Sequence, residues 1–584
     1  MSVNENYKSM IQRFFERADK KFDQSCGLIG EKVTEKNVIH TNVTGYAHHV
    51  RDNAIYAQLV YMTKSNHRYA AAEEIINKII DAQDKNENSS TYGLWSYYFE
   101  EKITEMSAPD YNMAEFIARP MIYVILEKSK LISPDTRDSI KSALRRAAKC
   151  CMKRNVGHDY TNVAAMSCVT VIIVGEILND AHMINYGKEK LRGFVKYTEY
   201  TGGFSEYNSP CYFKYVGDSM ARMLRYCKDA ECIEMAENIG NCLWNMVSMH
   251  YSNVFKELAP PYVRAYNDLD ADFENSDYIY YATSGKYGEY HCSANDWELN
   301  ILDCPEAYFN NFEKEIWIED EYYKTNNLRE KNSDATIIQD FDSPNLTAYT
   351  LKRKDYLFGA LQKTDLWDQR RTSMLLWDKH DKKTFKLRCE KDGYSFSSAM
   401  AYTAMYKNEQ ITVVSFATDH GEKHYILDKL KDGIINTESL KFTMKICGNY
   451  EKNNLRKTGN GIVYTDANIS FDVKIISWVF NGKDGIINFT EDGFELVCYN
   501  GEPKEIDLNG LDDTYGVISI KVNGAAPNVK IEVADGRLTA STKKFKIDTY
   551  SKPNKYNLCM KNTGVKTISK LDRNNFKNSI VGSI

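Results

Sequence analysis

The 584-residue chain lacks an apolar run reaching the roughly 18–20 residues of a membrane-spanning helix, so no span is expected. It also lacks charge of one sign: 75 basic residues against 80 acidic ones leave a net −5, with both signs spread along its length. That excludes the field of a nucleic-acid or anionic-membrane binder. It equally denies an acidic sugar any global attraction, so such a ligand needs a local cluster of Arg, Lys and His. The 14 cysteines form no CxxC pair and no His/Cys cluster with zinc spacing, so reduced thiols are expected and neither metal nor cofactor is indicated. The Asp and His scattered through 268–291 have a spacing that names no ion. The first 23 residues carry no apolar core followed by a cleavage site, so no signal peptide is expected and a cytoplasmic location is favoured. No armadillo-like or tetratricopeptide-like period recurs.

What is present is a globular composition, 43% hydrophobic and 27% charged, at a length that implies two or more domains. The first half reads as helix after helix. Over Tyr69–Gln83, Ala72, Ile75, Ile76, Ile79 and Ile80 share one face at a period of 3.6. Ser133-Pro134 opens another helix, with Ile140, Ala143, Leu144 and Ala147 inward. The stretch after Asn162 is apolar almost all round and should be buried. Further helices are expected over Asn53–Met62, Met113–Leu126, Met183–Tyr197, Phe213–Cys227 and Cys232–His250, and a short one around Trp297–Leu302. From about Asn345 the period becomes two, in short strands separated by Lys-Asp-Gly, Asn-Gly and Asp-Gly turns. The expected architecture is multidomain α + β: an α/α toroid over 1–310, a linker over 311–344, and an antiparallel β-sandwich over 345–584. Oligomerisation is left open.

The stretch Thr201–Tyr212 stands out, with two glycines followed by Phe204-Ser205-Glu206-Tyr207-Asn208-Ser209-Pro210-Cys211-Tyr212. Ser209-Pro210 reads as a helix start that puts Tyr212 in the first turn, where N–H dipoles would favour a phenolate. The other reading is a tight turn whose tyrosines pack. Helical toroid followed by β-sandwich resembles the layout of the heparinase and alginate-lyase group of polysaccharide lyases. Gly203–Tyr212 is similar to that group's Gly-Ser-x-x-Glu-x-Ser-x-x-Tyr segment, and Tyr160-Thr161-Asn162-Val163 looks like its Asn-bearing helix start. The resemblance implies a catalytic Tyr212 and an Asn162 amide facing a uronate carboxylate. The chain departs from the group in having Val163 where several members have His, and in showing no His-x-His-x-Asp-like segment early in the β half.

β-Elimination from a uronic acid needs charge neutralisation at the carboxylate, a base at C5 and an acid at the leaving oxygen. Candidate helpers are His48, His49 and Arg51, in a segment read as an early helix with the two imidazoles about 100° apart. Arg264 could clamp a carboxylate bidentately or bridge domains, and His291 is a further candidate. Trp367, Gln369 and Arg370 suit a sugar face and its hydroxyls, or the end of a strand. Glu206, Tyr207, Asn208 and Trp95 complete the candidate subsites, Trp95 fitting core packing equally well. The expected activity is therefore a lyase acting on an acidic oligo- or polysaccharide. Two rivals remain: a glycoside hydrolase using paired carboxylates among Glu100, Glu101, Asp110 and Glu206, and a non-catalytic sugar-binding protein.

Overall fold

The computed structural model describes residues 3–34, 40–269, 273–291, 299–323, 345–421, 430–567 and 580–583. The chain is a mixed α + β protein that divides into two compact units. Unit one comprises residues 1–200, 213–244 and 272–306; unit two comprises 201–212, 245–271 and 307–584.

Unit one is helical. Its helices are α1 (Val3–Asp19), α2 (Val50–Met62), α3 (Tyr69–Ala82), α4 (Met113–Glu127), α5 (Pro134–Arg154), α6 (Thr161–Leu178), α7 (Ala181–Thr201), α8 (Phe213–Tyr226), α9 (Ala230–His250) and α10 (Glu274–Ala282), α7 and α9 running on into unit two. The 3.6 pattern explains α3, whose buried set is Ala72, Ile75, Ile76, Ile79 and Ile80. α5 begins where Ser133 Oγ accepts from the Thr136 N–H with Pro134 in the first turn, and stops where Asn155 turns left-handed at φ 48°. α6 is long and apolar enough to cross a membrane by length and composition alone, yet 78% of it is buried inside the protein. It packs against α4, α5 and α8, which is how a helix without a polar face satisfies itself in a core. α10 lies in a stretch rich in Asp and Tyr that was not among the expected helices. The helix expected around Trp297–Leu302 lies partly outside the described residues, and 299–302 is not helical.

Unit two holds an eight-stranded and a ten-stranded antiparallel sheet and a smaller four-stranded one. Phe385, Phe442, Met444 and Leu496 of the larger sheet share one buried cluster with Phe471, Val473, Trp478 and Ile518 of the eight-stranded sheet. Strand Ile316–Tyr323, inside the segment read as a linker, pairs with Asn345–Lys352 in the ten-stranded sheet. Gly359 on strand Tyr356–Leu361 has a local role. A Cβ there would stand 1.9 Å from the Pro260 carbonyl oxygen, so a bare backbone lets the 260–261 segment lie on the sheet. Thr350 Oγ1 donates to that same carbonyl at 3.0 Å.

Candidate functional site

Three segments of unit two meet: 206–212, 259–268 and 365–371. Backbone bonds set them side by side, with the Val263 N–H donating to the Tyr207 carbonyl, Ala265 to Gln369 and Arg371 to Tyr262. Asn208, fully buried and left-handed at φ 48°, donates through Nδ2 to the Ala259 and Pro261 carbonyls at 2.7 and 2.9 Å. Ser209 Oγ donates to the Arg264 carbonyl at 2.7 Å and accepts from the Tyr212 N–H. Helix α8 starts only at Phe213, so Pro210–Tyr212 form a turn and Tyr212 precedes the helix rather than opening it. The Ser209 hydroxyl closes that turn locally, the alternative a short polar side chain offers the backbone.

On this frame the Arg264 guanidinium lies 4.7 Å from the centre of the Tyr212 ring and 5.3 Å from that of Trp367. Its Nη1 reaches Glu206 at 3.1 Å, while Nε and Nη2 both donate to Gln369 Oε1 at 3.1 and 3.0 Å. The Tyr212 hydroxyl is bonded at 2.5 Å to that of Tyr266, a residue 60% exposed, so this end of the cluster reaches the surface. Burial pushes the Tyr212 phenol well above its ordinary value; the Arg264 charge pulls it back without prevailing, and Tyr266 and Glu206 push with burial. The phenolate expected from helix dipoles is therefore not the resting form. Beside the cluster, burial raises the Asp268 carboxyl, but Arg371 and Lys386 outweigh it and hold the group below its ordinary value.

Several candidates prove to be internal supports. Tyr207 is buried and its hydroxyl meets His250 Nε2 at 2.9 Å. Arg370, also buried, pairs with Asp365 at 2.7 Å and donates to the Val263 carbonyl. Trp95 is fully buried in unit one with Nε1 donating to the Ile79 carbonyl, which removes it as a sugar platform. Large apolar area plus one satisfied N–H makes indole a core residue here.

The His48-His49 pair is not helical. His49 is extended (φ −70°, ψ 125°) and bridges to Tyr98, so the imidazoles point to opposite sides as on a strand. His49 caps α2, its Nδ1 accepting from the Arg51 N–H at 3.2 Å, and burial lowers its basicity despite Asp52. His48 faces Asp23, Cys26 and Glu100. Arg51 lies over the Phe116 ring at 5.1 Å. Asn162 is the second residue of α6 and buried; the neighbouring Val163 packs with Phe116 and Tyr215. His291 stacks on Phe273 at 4.1 Å and has Glu289 3.4 Å away. Tyr266, Asp268 and Lys386 were missed by sequence reasoning. Among 41 tyrosines nothing marked Tyr266, except that it closes the segment containing Arg264.

Residues 8–277, less than half of the chain, match a family model described as a domain of unknown function, DUF8769. No curated protein matches the sequence. Among solved structures the chain is similar to heparinase III (9% identity, TM-score 0.43, covering 86% of this chain and 82% of that one). It is also similar to a Streptomyces coelicolor A3 chondroitin AC lyase in complex with chondroitin sulphate (7% identity, TM-score 0.43, 93% and 85% covered). A third likeness is to a glycoside hydrolase (10% identity, TM-score 0.23, 85% and 76% covered). Likenesses this distant say nothing of activity.

Proposed function

We propose that the chain is a lyase that cleaves a uronic-acid-containing glycan by β-elimination, with unit one as an α/α toroid and unit two built on a β-sandwich. The observation that carries this reading is the phenol of Tyr212, with a guanidinium on its ring and its hydroxyl bonded to that of the exposed Tyr266. In the reaction the C5–H and C4–O bonds break, a C4=C5 double bond forms, and the leaving oxygen takes a proton. The phenol first gives its proton to solvent; the phenolate then takes the C5 proton, and the phenol so re-formed passes that proton to the leaving oxygen, which restores the phenolate. Arg264 supplies positive charge beside the carboxylate, and the buried Glu206 with Gln369 keeps its fork in one orientation. For Asn162, in unit one, the role of amide donor to a uronate carboxylate is kept as a proposal that rests on the resemblance alone. His49 stays within the proposal as a neutral imidazole.

Hydrolysis finds less support. Glu101 accepts from Thr41 and Asn42, Asp110 from Tyr97 and Asn112, Glu100 from His48, and Glu206 holds Arg264. Each carboxylate thus has a structural task, whereas a glycosidase keeps two for acid and base or nucleophile.

The test is a panel of uronate glycans, followed by the ultraviolet absorbance of the new C=C conjugated to carboxylate. Product should appear with the wild-type chain and fall by roughly 10²–10⁴ in Tyr212→Phe at unchanged circular dichroism. Near-normal turnover in that variant would overturn the assignment. New reducing ends without absorbance would establish the hydrolase instead.

A further inference from the structure

His48, read from sequence as a catalytic candidate, lies in a side-chain cluster of unit one with a chemistry of its own. The hairpin Phe22–Asp23 and Leu28–Ile29 turns through Gly27 at φ +68°. Within that turn the Ser25 N–H and Oγ donate to Asp23 Oδ1 at 2.8 and 2.6 Å, while Asp23 Oδ2 lies 3.8 Å from His48 Nε2. Cys26 Sγ is 3.3 Å from the same Nε2. Lys78 Nζ donates to the Cys26 carbonyl at 2.5 Å and so fixes the turn from α3. The other imidazole nitrogen, Nδ1, meets Glu100 Oε1 at 2.5 Å, and Glu100 Oε2 accepts from the His48 backbone N–H. Gly30 makes room for the ring: a Cβ there would stand 2.9 Å from His48 Cδ2.

We propose that Asp23, Cys26 and His48 bind one divalent zinc-class ion. One ligand atom from each lies within 4.8 Å of the other two. A tetrahedral zinc with bonds of about 2.0–2.3 Å holds its ligand atoms about 3.3–3.6 Å apart, so the triad needs adjustments of about 1.5 Å at most. A thiolate, an imidazole and a carboxylate together suit a borderline-soft ion and disfavour Ca²⁺ or Mg²⁺, which take oxygen ligands. Glu100 completes the logic. A carboxylate on Nδ1–H fixes the tautomer that presents a lone pair at Nε2, which is the outer partner metal-binding histidines commonly have. The fourth position is left to water. Such an ion would pin the 22–29 hairpin to the strand-like segment that leads into α2, two residues before that helix begins. The sequence hid the site because its ligands fall at 23, 26 and 48, a spacing of no zinc motif, and because the oxygen ligand is Asp.

The experiment titrates the reduced, chelator-stripped full-length chain with Zn²⁺ and with Co²⁺. One equivalent should bind, with a thiolate-to-cobalt charge-transfer band and the visible bands of a tetrahedral ion. Cys26→Ser should abolish the charge-transfer band, and Asp23→Asn or His48→Ala should weaken binding at least 100-fold. Glu100→Gln, which leaves all three ligands in place, should weaken it roughly 10–100-fold. Circular dichroism identifies any variant that fails to fold, and the wild-type stoichiometry needs no variant. Absence of stoichiometric binding by the folded wild-type chain would overturn the proposal, leaving His48 as a hydrogen-bonding partner of Glu100 and Cys26. Binding undiminished in Cys26→Ser would overturn it as well, by placing the ion on other thiols.

Discussion

Two stretches carry comparable concentrations of chemistry-bearing residues, Glu206–Tyr212 and Gly45–Asp52, and folding treats them oppositely. In the first, three chain segments from unit two deliver a phenol, a guanidinium, a carboxylate and an amide to one place. In the second, adjacent histidines are separated by extended backbone, one spent on a helix cap and the other facing Asp23, Cys26 and Glu100. Local residue density alone does not make a site. What distinguishes the first stretch is that Asn208 and Tyr207 are consumed as anchors so that Tyr212 is left at the rim.

The sharpest way to break the comparison is Arg264→Lys. A lysine keeps the charge but loses the fork shared between Glu206 and Gln369 and the flat contact with Tyr212. Elimination should fall roughly 10²-fold in kcat/KM with the fold unchanged. Turnover within threefold of wild type would show that only charge matters there. In the His48-His49 region Arg51 also sets a guanidinium over a ring, that of Phe116, but no phenol; Arg51→Lys should change turnover far less.

A second contrast uses acidity. Burial raises two acids, Tyr212 in unit two and Glu115 in unit one, but to different ends. Tyr212 stays protonated across the physiological range, so if its phenolate takes the C5 proton kcat/KM should rise with pH and reach no plateau below the ordinary tyrosine value near 10. Glu115, fully buried, is raised from 4.5 to about 7, Arg154 opposing burial. The folded state therefore holds this proton more tightly than the unfolded one. Stability is fully present below about pH 4.5 and lost as pH climbs toward 7, by on the order of 3 kcal/mol. Glu115→Gln should flatten that dependence, leaving stability at pH 5 nearly unchanged and raising it at pH 8. Equal losses for wild type and variant between those pH values would mean that Glu115 is ionised when folded.

A smaller effect separates two tyrosines of the same stretch. Tyr207→Phe removes one buried hydrogen bond to His250 and should cost about 1–1.5 kcal/mol in denaturant unfolding while turnover holds. Tyr212→Phe should do the reverse.

Much of this was legible beforehand, and the omissions have physical causes. Helices α3, α5 and α6 announced themselves by periodicity or caps, and strands such as Glu409–Phe416 by an apolar, β-branched run. Strand Lys383–Lys391 is hard to see in the sequence because it carries buried lysines on both of its faces. Lys383 and Lys386 are buried and paired with Asp378 and Asp268, which composition cannot show. α1 was not among the expected helices, although Met10, Ile11, Phe14 and Phe15 form one buried face. The candidate site was legible as three separate motifs. Their meeting was not, since it depends on backbone pairing between 259–266 and 366–371 that leaves no trace in local pattern.

The mildest prediction bears most directly on the contrast between the stretches. His49 precedes α2 in extended conformation and its Nδ1 satisfies the Arg51 N–H, one of the donors every helix leaves open at its start. Asparagine performs the same service without an imidazole, and alanine does not. If capping is the whole task of His49, His49→Asn keeps both stability and turnover within experimental error, while His49→Ala loses about 1 kcal/mol and no turnover. If the imidazole also polarises the substrate carboxylate, His49→Asn loses turnover at constant stability. The pair of variants thus decides whether the second stretch shares in the chemistry of the first or only holds a helix in place.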